Sequence, residues 1–323
     1  MLKISNSNTN CQLGYTPSQQ KNKNNMQNQF KSIGIISKSE DCHSCQVTHD
    51  LCQIISDSGG TIFIEESTHT TCDLTQYHHC SIEDLGRHCD LVIVIGGDGT
   101  LLCTARHLTT HDIPLVGINR GRLGFLVDIS PKDLRKSIMA ILTGQYLQES
   151  RHLLTMKVER DGKTLHQADA FNDVVISKWN TASMIEFDTM IDDHYLLTQR
   201  SDGMIISTPT GSTAYSLSGG GPIMHPAVDA TLLVPICPHT LNNRPIVVHG
   251  SSKVTITFNP LSSPEVQVSC DGQDEFILQK SDTVVVQQKP EPIRLLHPPG
   301  YDYFSVLRAK LHWGGASTPR SEC

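Results

Sequence analysis

Nowhere in the 323 residues is there an uncharged apolar run long enough to cross a bilayer, and the opening residues lack the apolar stretch of a secretory signal. A transmembrane helix is thereby excluded, and the reducing cytoplasm is the expected compartment. Excess positive charge is missing as well: a net charge of −7 argues against nucleic acid or an anionic membrane as the main partner, while leaving room for a locally basic pocket. Cysteine is plentiful, at 11 residues, and Cys42-His43-Ser44-Cys45 has C-x-x-C spacing. No regular second pair completes a zinc site, because Cys72, Cys80 and Cys89 with His78 and His79 are irregularly spaced. A reducing compartment disfavours disulfides, so free thiols are expected and no protein-borne metal ligand is assigned.

Composition shifts along the chain. Residues 1–29 hold seven Asn and five Gln with almost no aliphatic side chains, too little apolar surface to offset the entropy of ordering, and are expected to be disordered. Met26, just before the first strand, is a second candidate start of translation, which mass spectrometry of the native protein would test. From Ser32 the pattern alternates: Ile33–Ile36, Thr61–Ile64, Leu91–Ile95 and Pro114–Ile118 read as strands. Val47, Leu51, Ile54 and Ile55, and the segment 132–142, read as helices. Such alternation implies a parallel sheet, with ligands at the carboxyl ends of its strands. After about Ser150 short β-favouring runs separated by polar turns take over (153–158, 174–176, 184–187, 203–206, 254–258, 266–268 and 283–286), which suggests a β-sandwich. The expected division is 30–149 as an α/β domain and 150–300 as an all-β domain, with the helical segment 301–313 packing back on the first.

The densest information lies at Gly96-Gly97-Asp98-Gly99-Thr100, between the run Leu91–Ile95 and a helical pattern starting at Thr100. Glycines admit a ligand close to the backbone, and free N–H groups at a helix start attract anions, so this loop is expected to cradle phosphate. An aspartate there repels phosphate unless it binds a metal ion, takes a proton from an attacking hydroxyl or accepts a bond from a sugar, all roles belonging to phosphoryl transfer. The alternative is a plain strand-to-helix turn with Asp98 as the cap. Asn119-Arg120-Gly121-Arg122-Leu123-Gly124-Phe125 also follows a strand end, so the two stretches are candidates to face one crevice.

A second constellation, residues 208–222, is rich in Gly, Ser and Thr and suits a planar ring or a sugar lying against backbone; a Ser/Thr-rich turn capping a helix is the competing reading. Asn172-Asp173 puts an amide and a carboxylate at a strand edge, fit for a nucleobase and ribose hydroxyls or simply for a turn. Arg200-Ser201-Asp202-Gly203 is either a tight turn or a phosphate-binding Arg beside an acceptor.

In these stretches the chain resembles bacterial NAD kinases: GGDGTLL at 96–102, NRGRLGFLVD at 119–128, FNDVVIS at 171–177, QRSDGMIISTPTGSTAYSLSGGGPI at 199–223, PHTLNNRPIVV at 238–248, SCDGQ at 269–273 and HP..Y.YF at 297–304. The likeness runs from about Lys31 to Gly314. The long central segment is the specific one, since other GGDGT kinases differ there.

The resemblance implies a Rossmann-like, phosphofructokinase-like α/β domain, a C-terminal β-sandwich and a homo-oligomer, dimer or tetramer. It also implies NAD and ATP as substrates, with a divalent cation, Mg²⁺, accompanying ATP. Carried to matching positions, Asp98 would be the proton acceptor, with Gly96, Gly97, Gly99 and Thr100 forming the phosphate loop and Gly99 also beside NAD. Phe125 would touch adenine, and Asn172 and Asp173 would bind the adenosine half. Thr213, Ala214, Tyr215, Ser216, Leu217 and Ser218 would line the adenine pocket. Arg200, Asp202 and Gln273 would complete the contacts, Asp202 toward a neighbouring subunit's ligand. Two departures stand out: Asp173 where Glu is common, one methylene shorter, and Ser183 where Arg or His is expected. A GGDGT lipid kinase is disfavoured because no membrane-facing apolar or basic surface is evident. A non-catalytic NAD-binding regulator with redox-sensing cysteines is the rival from another class. His225 and His239 lie near the expected pocket and are left outside the site, since an isolated histidine is more often structural.

Overall fold

Alternating apolar strands and helices over the first 150 residues supply six strands of a seven-stranded sheet, and Ile293–His297 adds the seventh, in the order His78–Cys80, Thr61–Glu65, Ser32–Ser37, Leu91–Gly96, Leu115–Asn119, Ile293–His297, Leu147–Arg151. The computed structural model describes residues 28–38, 42–179, 183–240, 242–258 and 265–313. The polar stretch 1–27, and Met26 with it, lies outside the described residues. Asn28 and Gln29, assigned by composition to that stretch, are instead hydrogen-bonded: Asn28 Nδ2 donates to the Ser58 carbonyl at 2.6 Å and the Gln29 N–H to the Leu142 carbonyl at 2.8 Å.

Leu91–Gly96 is the middle strand and is buried at every position. Ile93 and Ile95 pack with Leu51, Ile55, Ile138 and Ile141 on one face of the sheet. Val92 and Val94 pack with Leu85, Leu101, Ala105 and Leu108 on the other. A strand covered on both faces must be apolar throughout, which is why it reads as an unbroken run; each such side chain stabilises the fold by about 1.5–3 kcal/mol relative to exposure.

Two six-stranded antiparallel sheets form the second half. One runs His194–Ser201, Ile185–Ile191, Val254–Phe258, Thr283–Gln288, Leu154–Arg160, Lys163–Ala170; the other runs Ile246–His249, Ala230–Ile236, Gly203–Ser207, Asp173–Lys178, Val266–Cys270, Asp274–Leu278. Their facing sides share one core that includes Met156, Val158, Ile176, Phe187, Ile206, Ile256, Val268 and Val284. Period-two alternation, seen in Leu154–Arg160 and Ile185–Ile191, marks this half-buried geometry.

Hydrogen bonding divides the chain differently from the 150–300 boundary expected from composition. Ile293–His297 returns to the first sheet, pairing parallel to Leu115–Asn119 and antiparallel to Leu147–Arg151. Flanking prolines at 292 and 298 hide it in the sequence, and Leu147–Arg151 is too polar to read as a strand. The last helix, Tyr303–Leu311, lies against the loop before residue 125, with Lys310 Nζ 5.5 Å from the Phe125 ring centroid.

The free-thiol expectation is corrected at one pair. Helix Cys42–Asp57 and helix Glu66–Cys72 bring Cys45 and Cys72 to a Cα separation of 5.1 Å, and the two are joined in a disulfide. The C-x-x-C reading fails with it, since Cys45 is taken. Cys52, Cys80, Cys89, Cys103, Cys237 and Cys270 are free thiols.

Candidate active site

Helix Asp98–Leu108 starts directly after the middle strand, with Gly97 as its N-cap and no side-chain capping bond. Asp98 is therefore the first helical residue and not the cap. Its carboxylate crosses to the neighbouring loop: Oδ2 accepts the Phe125 N–H at 2.9 Å, and Oδ1 accepts those of Leu126 at 2.9 Å and Val127 at 3.3 Å. A carboxylate offers about four lone-pair sites, so three N–H bonds orient it and leave one, on Oδ2, for a further donor. GGDGT and NRGRLGF, two separate motifs in the sequence, are thus one physical unit. A Cβ added at Gly97 or Gly99 would meet nothing within 4 Å, so the loop backbone faces open space, whereas Gly96 is packed against Thr100.

Asp271 repeats the arrangement. It accepts the N–H groups of Phe171 at 2.9 Å, Asn172 at 2.8 Å and Asp173 at 3.2 Å. Arg106, about two turns along the helix from Asp98, approaches Asp271 Oδ2 at 3.8 Å and donates to the Cys270 carbonyl at 3.3 Å and to Gln273 Oε1 at 2.5 Å. One helix thereby presents Asp98 at its start and grips the 270–273 turn of the sandwich farther on.

Asp173 is buried between these groups. Burial first, and then the Asp271 charge, push its carboxyl up to about 7 against the Tyr215 backbone N–H that favours the ionised form. Burial also raises Asp271, opposed by its three N–H donors and by Arg106. Asp173, lacking those donors, is the member that takes the proton. Carboxyls displaced this far by burial and a charge neighbour are characteristic of functional sites.

The Thr208–Ser218 loop is built on Asn172. Ser207 Oγ donates to the Asn172 carbonyl at 3.2 Å, Thr208 Oγ1 to the Phe171 carbonyl at 2.7 Å, and the Thr208 N–H to the Asn172 carbonyl at 2.9 Å. Gly211 lies so close that a Cβ there would sit 2.1 Å from the Asn172 carbonyl oxygen, so no side chain fits. Several of the hydroxyls thus build the loop. Tyr215 and Ser218 are exposed, Thr213, Ala214 and Leu217 half-buried, and Ser216 fully buried with no partner for its hydroxyl.

Arg200 and Asp202 are not brought to this cluster. Strand Gly203–Ser207 pairs Ser207 with Asp173 at one end and Gly203 with Ser177 at the other, and Arg200 and Asp202 belong to the far end. There Arg200 lies 3.8 Å from Glu186, and Asp202 pairs with Lys178 at 2.8 Å. Gln273 borders a polar groove of about 590 Å³ with Arg106, His107, Asp169 and Glu275; Asp98 does not line it. Arg106 and Asp271 escaped the sequence reading, although Asp271-Gly272 after a buried strand repeats the Asp98-Gly99 signature.

Among the described residues no group of three or more His, Cys, Asp or Glu side chains converges on a metal position, and no helix is long and apolar enough to cross a membrane.

Residues 33–146 match the family model of the ATP-NAD kinase N-terminal domain, and residues 171–297 that of the ATP-NAD kinase C-terminal domain. The chain is 48% identical over 290 residues to the NAD kinase of Halorhodospira halophila, covering 88% of this chain and 94% of that one. With the NAD kinase of Marinobacter nauticus it shares 46% over 285 residues, covering 88% and 97%. The crystal structure of yeast NADH kinase complexed with NADH superposes with a TM-score of 0.81 at 25% identity, covering 92% of this chain and 91% of that one.

Proposed function

From the premise that the chain belongs to the NAD kinase family, we propose that the Asp98 carboxylate, oriented by the N–H groups of Phe125, Leu126 and Val127, receives the adenosine ribose of NAD. The enzyme transfers the γ-phosphate of ATP to the 2′-hydroxyl of that ribose, giving NADP and ADP. The open lone pair of Oδ2 accepts the hydroxyl proton as the phosphoryl group arrives, a contribution of roughly 10²–10⁴-fold. The open backbone at Gly97 and Gly99 and the start of helix Asp98–Leu108 receive the donor phosphates.

Asn172, Asp173 and the exposed edge of the 213–218 turn hold the adenosine half. A protonated Asp173 is a donor toward a ring nitrogen or a ribose oxygen, which compensates for its short reach. Phe125, half-buried under Lys310, supplies an apolar face to the base. The remaining acceleration comes from aligning two nucleotides and neutralising charge.

A divalent cation, Mg²⁺, would accompany the triphosphate and neutralise its charge. The placement of Arg200 and Asp202 at the far end of the strand that carries Ser207 supports a role toward a neighbouring copy's ligand, and hence a homo-oligomer. The cytoplasm is the proposed compartment.

Asp98 gripped by the 125–127 backbone is the observation that carries the site assignment. Its test is NADP formation by the purified protein, with NAD or NADH as acceptor and ATP or polyphosphate as donor. Phosphorylation at the 2′ position with ATP and NAD is expected; a protein that binds NAD and never phosphorylates it contradicts the assignment.

A further inference from the structure

The closing HP..Y.YF stretch is not used by the chemistry above, yet it supplies the most deeply buried histidine among the described residues. His297, 1% exposed, places Nδ1 3.2 Å from Asp128 Oδ2 and Nε2 3.5 Å from Glu149 Oε2. The same Glu149 oxygen also pairs with Arg151, which is 2% exposed, and Arg151 donates to Thr210 Oγ1 at 3.2 Å. Tyr301 stacks on the imidazole with ring centroids 3.8 Å apart.

The two ends of this chain of contacts are informative. Asp128 directly follows Val127, the last N–H donor to Asp98. Thr210 opens the 3-10 turn Thr210–Thr213 that leads into the Tyr215–Ser218 turn. We propose that Asp128, His297, Glu149 and Arg151 form a buried positioning array that locks the loop orienting Asp98 to the loop receiving adenosine, so that Arg151, through Thr210, sets the affinity for the nucleotide acceptor. The proposal rests on the assignment of the 210–218 loop to NAD.

Charge accounting supports the array. Two carboxylates balance one guanidinium and one imidazolium, and an unbalanced charge at this depth is costly. Burial opposes the imidazolium, but Asp128 and Glu149 override it and hold His297 above the ordinary histidine range. Glu149, although buried, is held down at about 2 by His297 and Arg151. The charged or titratable groups facing His297 are Asp128 from the loop after Leu115–Asn119, Glu149 and Arg151 from Leu147–Arg151, and Tyr301 from the following turn. As pH climbs through the raised value the imidazole loses its proton, Asp128 loses the cation beside it, Glu149 is left with Arg151 alone, and the array loosens.

The experiment compares steady-state kinetics of wild type, Arg151→Gln, Arg151→Lys, Thr210→Val, His297→Gln and Tyr215→Ala, with melting temperatures alongside. Arg151→Gln and Thr210→Val should each raise KM for NAD about tenfold, the scale of losing a buried hydrogen bond to a charged group. KM for ATP should stay within about twofold, and Arg151→Lys should recover part of the loss. Wild-type KM for NAD should rise on the alkaline side; in His297→Gln it should be raised and flat with pH. If Tyr215→Ala raises KM for NAD and Thr210→Val does not, the array is overturned while the loop assignment stands. If Tyr215→Ala is also without effect, the loop assignment falls and the array with it. Equal changes in both KM values, tracking melting temperature alone, reduce the array to a structural role and overturn the proposal. Thr210→Val, which leaves all four charges in place, decides the matter if the charge variants fail to fold.

Discussion

Gly124 and Asp98 are in closer register than any side chain would allow: a Cβ on Gly124 would stand 2.2 Å from Asp98 Oδ1. The glycine is therefore part of the carboxylate's seat, and Gly124→Ala should displace Asp98 without touching substrate. A misplacement approaching 1 Å costs about 10²-fold in rate. The expected outcome in the NADP-formation assay is a fall in kcat of that order with KM for ATP little changed.

Asp173 gives a pH prediction whose sign follows from its carboxyl being raised from 3.8 to about 7 in the folded protein. Such a group contributes stability that is fully present below the unfolded value and is lost as pH rises through the folded one. Between these limits wild type should lose stability relative to Asp173→Asn, and above them the difference should level off. Denaturant midpoints of the two proteins across that window check this; a parallel pair of curves contradicts it.

Arg106 serves three acceptors on the 270–273 turn, and a planar fork is needed to reach them. Arg106→Ala takes the guanidinium away from Asp271, whose side chain is fully buried, and should destabilise the protein by about 1–3 kcal/mol. Arg106→Lys should rescue little of it. Thermal unfolding of both variants provides the comparison.

The Cys45–Cys72 disulfide closes a loop with a sequence separation of 27 residues. Loop-closure entropy sets its stabilisation at up to about 3.5 kcal/mol. Adding a reductant should lower the melting temperature of wild type and leave that of Cys45→Ser unchanged.

What the sequence made readable was whatever depends on local pattern. Leu91–Ile95 had to be apolar to sit between two helical layers, and the glycines around Asp98 stood out because nothing else fits so near open backbone. Residues that act across long separations were hidden. Arg106 and Asp271 are 165 positions apart by number and meet only because helix Asp98–Leu108 lies against the sandwich. His297 reads as a lone histidine until antiparallel pairing of its strand with Leu147–Arg151 sets it beside Glu149. The disulfide was hidden because the lack of a secretory signal points to a reducing compartment, whereas the packing of two helices decides which sulfurs meet. Arg200 and Asp202 looked contiguous with the 208–218 stretch, and strand length carries them away from it.

The central claim is that Asp98 acts on the ribose hydroxyl, and Asp98→Asn tests it most directly when NAD binding and turnover are measured on the same preparation. Calorimetry should give NAD affinity within about tenfold of wild type, while kcat for NADP formation falls by roughly 10²–10⁴-fold. A variant that binds NAD and turns over at close to the wild-type rate contradicts the account.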